Sequence, residues 1–227
     1  QLKLASLGRL TASIAHEIRN PLGAISHATQ LLAESPDLLG PDRRLLEIID
    51  QHCRRMNGIV ENVLSVSRRQ QSYPEVLELA EWLTRFREEH LALPREHPVD
   101  IVLRLEKSLL PVRFDPQQLY QVVSNLVANG MRYNRKTTGI ERVQIEAGIL
   151  PVSQQPYLDV IDEGPGIPQA QIDHLFEPFY TTEASGTGLG LYLSREICEA
   201  NQARLDHLPR QPGACFRITF SHPERLH

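Results

Sequence analysis

The spacing of apolar residues changes near residue 70, and this change divides the chain into two parts. In the first part, apolar side chains recur at steps of three, four and seven, the spacing of one face of an α-helix. The first stripe consists of Leu7, Leu10, Ile14, Ile18, Leu22, Ile25 and Leu32. Turn-forming residues occupy 34–41, and a second stripe follows with heptad spacing if His52 is included. That stripe consists of Leu45, Ile49, Met56, Ile59, Val63 and Val66. The first part therefore predicts an antiparallel helical hairpin.

A single hairpin cannot bury two apolar stripes of this length, so it is expected to pair with a second hairpin. We predict a homodimer in which residues from about Leu2 to Arg69 form a four-helix bundle, within a first domain of residues 1–70. His52 lies on the apolar seam, which favours a packed core or interface role over a catalytic one.

Residues 71–75 are a predicted linker, and the pattern beyond them alternates between strands and helices. Strands are predicted at 76–79, 99–105, 112–114, 142–150, 157–162, 204–208 and 215–220. Helices are predicted at 81–93, from Asp115 onward and at 190–200. Asp115 and Pro116 have the residue types of an N-cap and a first helical position. An α/β sandwich, with helices on one face of a mixed sheet, is expected over residues 76–227, so the fold class is α+β.

Composition excludes several classes of function. The 227 residues are 41% hydrophobic, which suits one large or two small domains, and the net charge of −4 offers no basic footprint for nucleic acid. The odd number of cysteines without C-x-x-C spacing predicts buried, reduced thiols of a cytosolic protein. No apolar run reaches the roughly 18 residues that cross a bilayer, and no signal sequence is visible. Any membrane segment is therefore expected upstream of Gln1.

Residues 15–21 read Ala-His-Glu-Ile-Arg-Asn-Pro and hold a candidate reactive group. His16 lies roughly 200° around the helix from the apolar stripe, so its imidazole is expected to face solvent. Asn20 shares that face at i+4, and the neighbouring Glu17 could orient or deprotonate the ring. Pro21 would clash with the carbonyl of Glu17 and bend the helix at this point.

Two other interpretations of this segment compete with a reactive histidine. A histidine on the exposed face of an amphipathic helix can be an ordinary surface residue. The zinc-protease motif H-E-x-x-H is excluded, because Asn20 stands at the place of the second histidine ligand.

Two glycine-rich segments point to a nucleotide. Residues 162–166, Asp-Glu-Gly-Pro-Gly, leave a predicted strand, where glycines let the backbone pass close to a flat ligand. Residues 186–191, Gly-Thr-Gly-Leu-Gly-Leu, open a helix whose amides could bind phosphate. Either segment alone could be a flexible turn. Gln169 at the third glycine position argues against a Rossmann motif, and no Walker A sequence occurs.

The order of these segments resembles the two-component sensor histidine kinases over nearly the whole chain. The H, N, G1, F and G2 boxes of that family are similar to residues 15–21, 125–129, 162–166, 175–182 and 186–191, respectively. Residues 7–12 and the short gap between Thr182 and Gly186 look most like the nitrogen-regulation and pilus-regulation sensors. The resemblance implies a dimeric helical hairpin followed by an ATP-binding sandwich of the GHKL (Bergerat) type.

The resemblance also implies a reaction and a partner. His16 would attack the γ-phosphate of ATP, with Glu17 as general base, and the phosphate would pass to an aspartate of a response regulator receiver domain. Asn20 would orient a water for the reverse, phosphatase reaction. The regulator would dock near His16, over Gly23, His27 and Gln30.

The expected nucleotide site follows from the other boxes. Asn129 would ligate Mg²⁺ through its side-chain oxygen, Arg132 would reach the phosphates, and Tyr133 would lie beside the adenine. Asp162 would accept a hydrogen bond from the adenine amino group. The remaining residues expected to bind the nucleotide are Asn125, Gly164, Gly166, Thr187, Gly188, Leu189 and Gly190.

Three positions depart from the family pattern. Gly130 stands where alanine is usual, at a cost of about 0.5–1 kcal/mol in helix stability. Glu183 stands where a lysine is common, and the last glycine motif is reduced to Gly213-Ala214.

Other functions compete with an active kinase. One is a degenerate kinase that acts only as a scaffold or phosphatase. Another is an ATPase of the chaperone, topoisomerase and mismatch-repair kind, which lacks the hairpin. The chain is expected to be the cytoplasmic portion of a bacterial inner-membrane protein.

Overall fold

The computed structural model describes residues 18, 20–34, 40–67, 72–92, 98–106, 110–183 and 186–221, with α2 side chains described only at 40–53, 56 and 58. The chain divides into one unit of residues 1–71 with 177–190 and a second of residues 72–176 with 191–227. The helices are α1 (residues 20–33), α2 (Gly40–Ser67), α3 (Leu79–Ala92), α4 (Pro116–Thr138), α5 (Gln169–Ile172) and α6 (Gly190–Ala200). The strands are β1 (Glu75–Glu78), β2 (Val99–Leu105), β3 (Pro111–Phe114), β4 (Glu141–Ile149), β5 (Pro156–Ile161), β6 (Arg204–Leu208) and β7 (Cys215–Thr219).

Helices α1 and α2 form the predicted hairpin, held by a small set of internal residues. The Ser26 hydroxyl donates to the Asp50 carboxylate of α2 at 3.1 Å. Leu22 and Thr29 lie on the same face of α1 as Ser26 and are buried, as is Cys53 one turn beyond Asp50. Among the described side chains, the internal face of the hairpin is therefore narrow and partly polar.

The described members of the predicted apolar stripes lie largely outside this internal face. Six of their members are 37–58% exposed within one protomer: Ile18, Ile25, Leu32, Leu45, Ile49 and Met56. The α1 stripe thus splits, because Leu22 is buried whereas Ile18 and Ile25 are exposed. His52 is exposed together with the α2 seam. We name these six apolar residues the open seam.

The second unit contains a five-stranded mixed sheet with the order β2-β4-β5-β7-β6. Strands β2 and β4 are parallel, and every other neighbouring pair is antiparallel. Strands β1 and β3 pair with each other in a separate two-stranded ribbon. The α+β class with its sandwich is confirmed, and the strand bounds fall within one residue of those predicted.

The core of this unit lies between the helices and one face of the sheet. The apolar stripe of α4 is buried throughout: Leu119, Val122, Val123, Leu126 and Val127. Alternate residues of β4 and β5 meet it, among them Ile145 and Leu158. The three cysteines are buried free thiols, as predicted. Burial raises the pKa of the Cys215 thiol to about 12, so this thiol stays protonated at neutral pH.

Both ends of α4 are capped. Asp115 accepts hydrogen bonds from the backbone N–H groups of Gln117 and Gln118 at 3.0 and 3.1 Å, which confirms the predicted N-cap. Gly139 ends the helix at a φ of 77° and donates its N–H to the Arg135 carbonyl. These caps fix the register in which α4 presents its polar residues. No helix in the described part of the chain has the length and apolar character to span a bilayer.

Candidate functional site

Helix α4 carries two predicted ligand asparagines one turn apart, and each has its own partner. Asn125 donates its amide to the hydroxyl of Ser194 at 3.0 Å, and Ser194 is buried on α6. Asn129 accepts through its Oδ1 from the Nη2 of Arg132 at 2.9 Å. Asn125 therefore ties α4 to α6, whereas the Asn129 oxygen is engaged by an exposed cation.

Two cations lie over the ring of Tyr133. The guanidinium carbon of Arg132 and the Nζ of Lys136 are each 5.2 Å from the ring centroid. Their charges favour anionic groups near an aromatic surface. Lys136 was absent from the predicted set, although its i+3 spacing from Tyr133 is a signal that could have found it.

Asp162, just after β5, divides its carboxylate between two tasks. Its Oδ1 accepts the backbone N–H of Gly164 at 2.8 Å and that of Ala214 at 3.2 Å. Among the described residues, no N–H or O–H group donates a hydrogen bond to Oδ2. The side chain is buried, and this burial raises its pKa above the ordinary value, opposed by the two amides and by the charge of Arg210. A fixed, buried acceptor with one available oxygen suits a ligand that donates a hydrogen bond.

Close backbone approach around this carboxylate requires glycine. A Cβ atom on Gly164 would lie 2.9 Å from Oδ1 of Asp162 and 3.1 Å from the Cβ of Tyr133. Gly213 has a φ of 88°, and a Cβ there would overlap the backbone carbonyl of Asp162. Gly166 also has a positive φ of 76°. Gly213 is therefore required at this site, although it belongs to a glycine motif that is reduced in this sequence. The sequence alone does not show that the loop of Gly213 passes Asp162.

The segment before α6 contains a second glycine-dependent contact. Gly188 has a φ of 69°, and a Cβ there would lie 2.6 Å from the carbonyl oxygen of Phe179. Phe179 itself adopts a φ of 66°, which is unusual for a bulky residue. The Leu189 N–H donates to the Thr187 hydroxyl at 3.4 Å, and Leu189 is buried. Gly190 is the first residue of α6, so backbone N–H groups without helical partners follow directly.

The hairpin presents part of the predicted catalytic segment. His16 and Glu17 lie outside the described residues, as does the predicted bend at the carbonyl of Glu17. Asn20 is exposed at the start of α1. The residues predicted to meet a regulator are also exposed on α1: Gly23, His27 and Gln30.

The second unit fits a purine nucleotide and a magnesium ion by its donor set. The Asp162 carboxylate supplies an acceptor, and Arg132 and Lys136 supply charge for phosphates. No group of three His, Cys, Asp or Glu side chains among the described residues could hold a metal ion. The amide oxygen of Asn129 is a side-chain oxygen of the type that hard ions prefer.

The fold and the donor set define an ATPase unit of a known class. Residues 114–224 match the family described as histidine kinase-, DNA gyrase B- and HSP90-like ATPase. Residues 6–72 match the His Kinase A (phospho-acceptor) domain. Since both matches occur in this order, the chain belongs to the sensor histidine kinase family. The hairpin match decides against the chaperone and topoisomerase ATPases.

Curated relatives place the chain within that family. It is 56% identical over 227 residues to the sensor protein kinase PilS of Pseudomonas aeruginosa, covering 100% of this chain and 43% of the relative. It is 32% identical over 223 residues to the signal transduction histidine-protein kinase AtoS of Escherichia coli, covering 95% and 35%. The chain thus spans less than half the length of these relatives.

Solved structures show the same fold. The histidine kinase ThkA in complex with the response regulator protein TrrA matches 98% of this chain and 64% of that chain, with a TM-score of 0.67 and 26% identity. Full-length ShkA in complex with AMPPNP matches 93% and 45%, with a TM-score of 0.70 and 20% identity. The second likeness concerns the fold alone.

Proposed function

We propose that the chain is the catalytic core of a sensor histidine kinase. In this proposal ATP phosphorylates His16, and the phosphoryl group then passes to an aspartate of a response regulator receiver domain. The observation that carries the proposal is Asp162, buried, with one oxygen fixed by two backbone amides and the other without a hydrogen-bond donor among the described residues. That geometry supports recognition of an exocyclic amino group, which adenine has and guanine lacks at the equivalent position.

The residues predicted to bind the nucleotide have distinct roles toward ATP. Tyr133 offers a ring beside which the base lies, and Arg132 and Lys136 neutralise phosphate charge. Gly164 keeps the backbone close to the carboxylate, Gly213 passes the backbone of Asp162, and Gly166 lies against the carbonyl of Gly213. Gly188, Leu189 and Gly190 lead into α6, whose first N–H groups suit a phosphate, with Thr187 beside them.

Magnesium would be held by Asn129, the residue that Arg132 contacts at 2.9 Å. The ion supplies charge neutralisation between phosphates when bound. Oδ1 of Asn129 would hold the ion, and the Arg132 guanidinium would supply positive charge near the phosphates. Asn125 contributes by holding α4 against α6 through Ser194.

His16 acts as the nucleophile in the proposed reaction. One imidazole nitrogen forms a bond to the γ-phosphorus, the bond from that phosphorus to the leaving oxygen of ADP breaks, and the ring proton passes to Glu17. Asn20 orients a water for hydrolysis of the regulator's phosphoaspartate. The regulator docks over the exposed α1 face that holds Gly23, His27 and Gln30.

The assembly belongs to the same proposal. Two chains pair through the open seam into a four-helix bundle, with domains at 1–70 and 76–227 joined by a linker at 71–75. The relatives are longer than this chain, and the core is proposed to lie in the cytoplasmic portion of a bacterial inner-membrane protein. A degenerate kinase that only scaffolds or dephosphorylates is the alternative, and no observation favours it.

Incubation with γ-labelled ATP and Mg²⁺ tests the reaction. We expect acid-labile label on the chain, lost in His16→Gln because no other group can take its place. His174→Gln is the matched control, since His174 is exposed and has no role in the proposal. Label retained in His16→Gln would contradict the assignment of the acceptor.

A further inference from the structure

A buried polar network lies where residues 72 and 73 enter the catalytic unit. Its centre is Asn201, 2% exposed, one residue beyond the end of α6. The Asn201 Oδ1 accepts the Ser72 hydroxyl at 2.8 Å and the Asp115 N–H at 2.9 Å. Its Nδ2 donates to the Gln118 side chain at 2.6 Å and to the Ile197 carbonyl at 2.9 Å. All four hydrogen-bonding positions of this amide are therefore used.

Asp115 extends the network from the N-terminus of α4 back to the entering chain. Its Oδ1 caps α4 through the amides of Gln117 and Gln118. Its Oδ2 accepts the backbone N–H of Tyr73 at 2.9 Å. The N-cap carboxylate thus holds both the first turn of α4 and the backbone of the entering segment.

This arrangement exceeds what capping requires. A cap needs only the bonds from Asp115 to the first turn, yet Ser72 and Tyr73 are also bound. Tyr73 has a side chain that is 70% exposed, so burial of that side chain cannot be what fixes its backbone. The bonds from Ser72 and Tyr73 therefore fix the path of the chain at this point.

The network connects that path to the two helices that bear the proposed nucleotide contacts. Helix α4 carries Asn129 and Arg132, and α6 starts at Gly190 and ends beside Asn201. An unpaired polar group in such a buried network is costly, so its bonds form and break together. The direction of residues 72–73 and the orientation of α4 and α6 are thus fixed as one body.

We propose that Asn201 is a positioning residue for phosphoryl transfer, which anchors the chain entering at Ser72 to α4 and α6. This inference rests on the proposed kinase function. The anchor fixes the orientation of α4 and α6 relative to residues 72 and 73. We expect this orientation to affect the rate at which bound nucleotide phosphorylates His16. It has no part in holding the nucleotide.

Two variants of the whole 227-residue chain test the anchor. Asn201→Ala removes its centre. Ser72→Ala removes only the hydroxyl bond and leaves the cap of α4 intact, so it is expected to fold in any case. In both variants we expect the rate of His16 labelling at saturating ATP to fall by about ten- to a hundredfold, because small misplacement of reacting groups is costly. The KM for ATP is expected to stay within about twofold, since the bond from Asn125 to Ser194 still holds α4 against α6 and no nucleotide contact is lost.

Hydrogen exchange supplies a readout that does not depend on activity. The amides of Tyr73 and Asp115 are expected to exchange faster in Asn201→Ala, because that variant removes one bond directly and loosens the other. Asn134→Ala is the matched control, because Asn134 is an equally buried asparagine on α4 that donates to the Ile140 carbonyl. It is expected to lower stability without selectively accelerating exchange at Tyr73 and Asp115 and without slowing the labelling of His16.

The outcomes separate the anchor from the kinase proposal. Normal labelling rates in Ser72→Ala and Asn201→Ala, or unchanged exchange at Tyr73 and Asp115, would overturn the anchor. A rise in the KM for ATP as large as the fall in labelling rate would also overturn the anchor, since it would indicate general disruption of the catalytic unit. Absence of label in the unaltered chain would instead reject the kinase function, while the exchange result would still decide whether the network holds the entering chain.

Discussion

At the scale of single residues, the two carboxylate oxygens of Asp162 have different roles. One oxygen is bound by the amides of Gly164 and Ala214, so the side chain cannot rotate freely. The buried carboxylate has a raised pKa, which means that its ionised form is poorly solvated in the folded protein. The same burial strengthens any hydrogen bond that a ligand donates to it.

Asp162→Asn is expected to separate stability from binding. The folded protein holds the Asp162 proton to a higher pH than the unfolded chain does. This contribution to stability is therefore complete below the ordinary carboxyl pKa of 3.8 and is lost as the pH rises through the raised pKa. The neutral amide keeps an oxygen for both N–H groups, so we expect a higher Tm at pH 7 and no gain at low pH. Nucleotide binding is expected to weaken about ten- to a hundredfold, measured by calorimetry.

Asp159→Asn is the contrasting variant. Asp159 is also buried, but Arg217 binds it with two hydrogen bonds of 2.7 and 2.6 Å. Loss of that charge pairing is expected to lower stability at pH 7 by roughly 2 kcal/mol and to leave nucleotide binding unchanged. A lower Tm for Asp162→Asn at pH 7 would contradict the role given to burial.

At the scale of elements, the contact of α4 with the sheet depends on the glycine that departs from the family pattern. A Cβ on Gly130 would lie 2.7 Å from the Val143 methyl on β4 and 3.5 Å from the Cβ of Asp162. Sequence reasoning counted only the loss of helix propensity. The structure adds that this glycine lets α4 approach β4 beside the predicted adenine acceptor.

Gly130→Ala is expected to destabilise the catalytic unit by about 1 kcal/mol. Overpacking costs about 1–3 kcal/mol, which outweighs a helix gain of about 1 kcal/mol. The only tryptophan, Trp82, is buried in α3 and reports unfolding of this unit by fluorescence. In a double-mutant cycle with Val143→Ala, the double variant is expected to lose about 1 kcal/mol less unfolding free energy than the sum of the losses in the two single variants. Additive losses would show that Val143 is not the obstacle.

At the scale of the whole molecule, the open seam implies a partner for the hairpin. Its six apolar residues recur at heptad-related positions on both helices, whereas the internal contacts use Leu22, Ser26 and Thr29. An apolar strip of this length on one protomer is typical of an interface. A second copy offers the same strip, as a symmetric dimer requires.

Ile49→Asp is expected to dissociate the dimer. The unaltered chain is expected to sediment at twice its mass of 25.8 kDa at micromolar concentration. A charge placed in the seam would raise the dimer dissociation constant about a hundredfold, since an unpaired charge in an apolar contact costs on the order of 3 kcal/mol. Leu91→Asp is the control, because Leu91 on α3 is also 40% exposed. Equal behaviour of the two variants would count against the seam.

Much of this architecture could be predicted from local patterns. The cap at Asp115 and the α4 stripe follow from residue types at fixed spacing, and α6 begins and ends at the predicted residues. The separate β1–β3 ribbon was not predicted, because periodicity identifies strands without naming their partners. The division of the α1 stripe was also missed, since Leu22 and Ile25 are equally apolar and only the packing of α2 distinguishes them.

The candidate site shows the same limit. Asp162 and Gly164 were found because they form one short motif. Gly213 and Asn201 were underrated or missed because their partners are distant in the chain; Asn201 bonds to Ser72 across 129 positions. Contacts between residues so distant in sequence depend on the completed fold, and no local sequence pattern predicts them.

The amides that hold Asp162 have one more consequence. Since the acceptor is already oriented before any ligand arrives, no ordering of this side chain is left to occur on contact. A small heterocycle with an amino group beside a ring nitrogen is thus expected to bind to this carboxylate, even without sugar or phosphate. Fragment screening by crystal soaking would begin from this carboxylate.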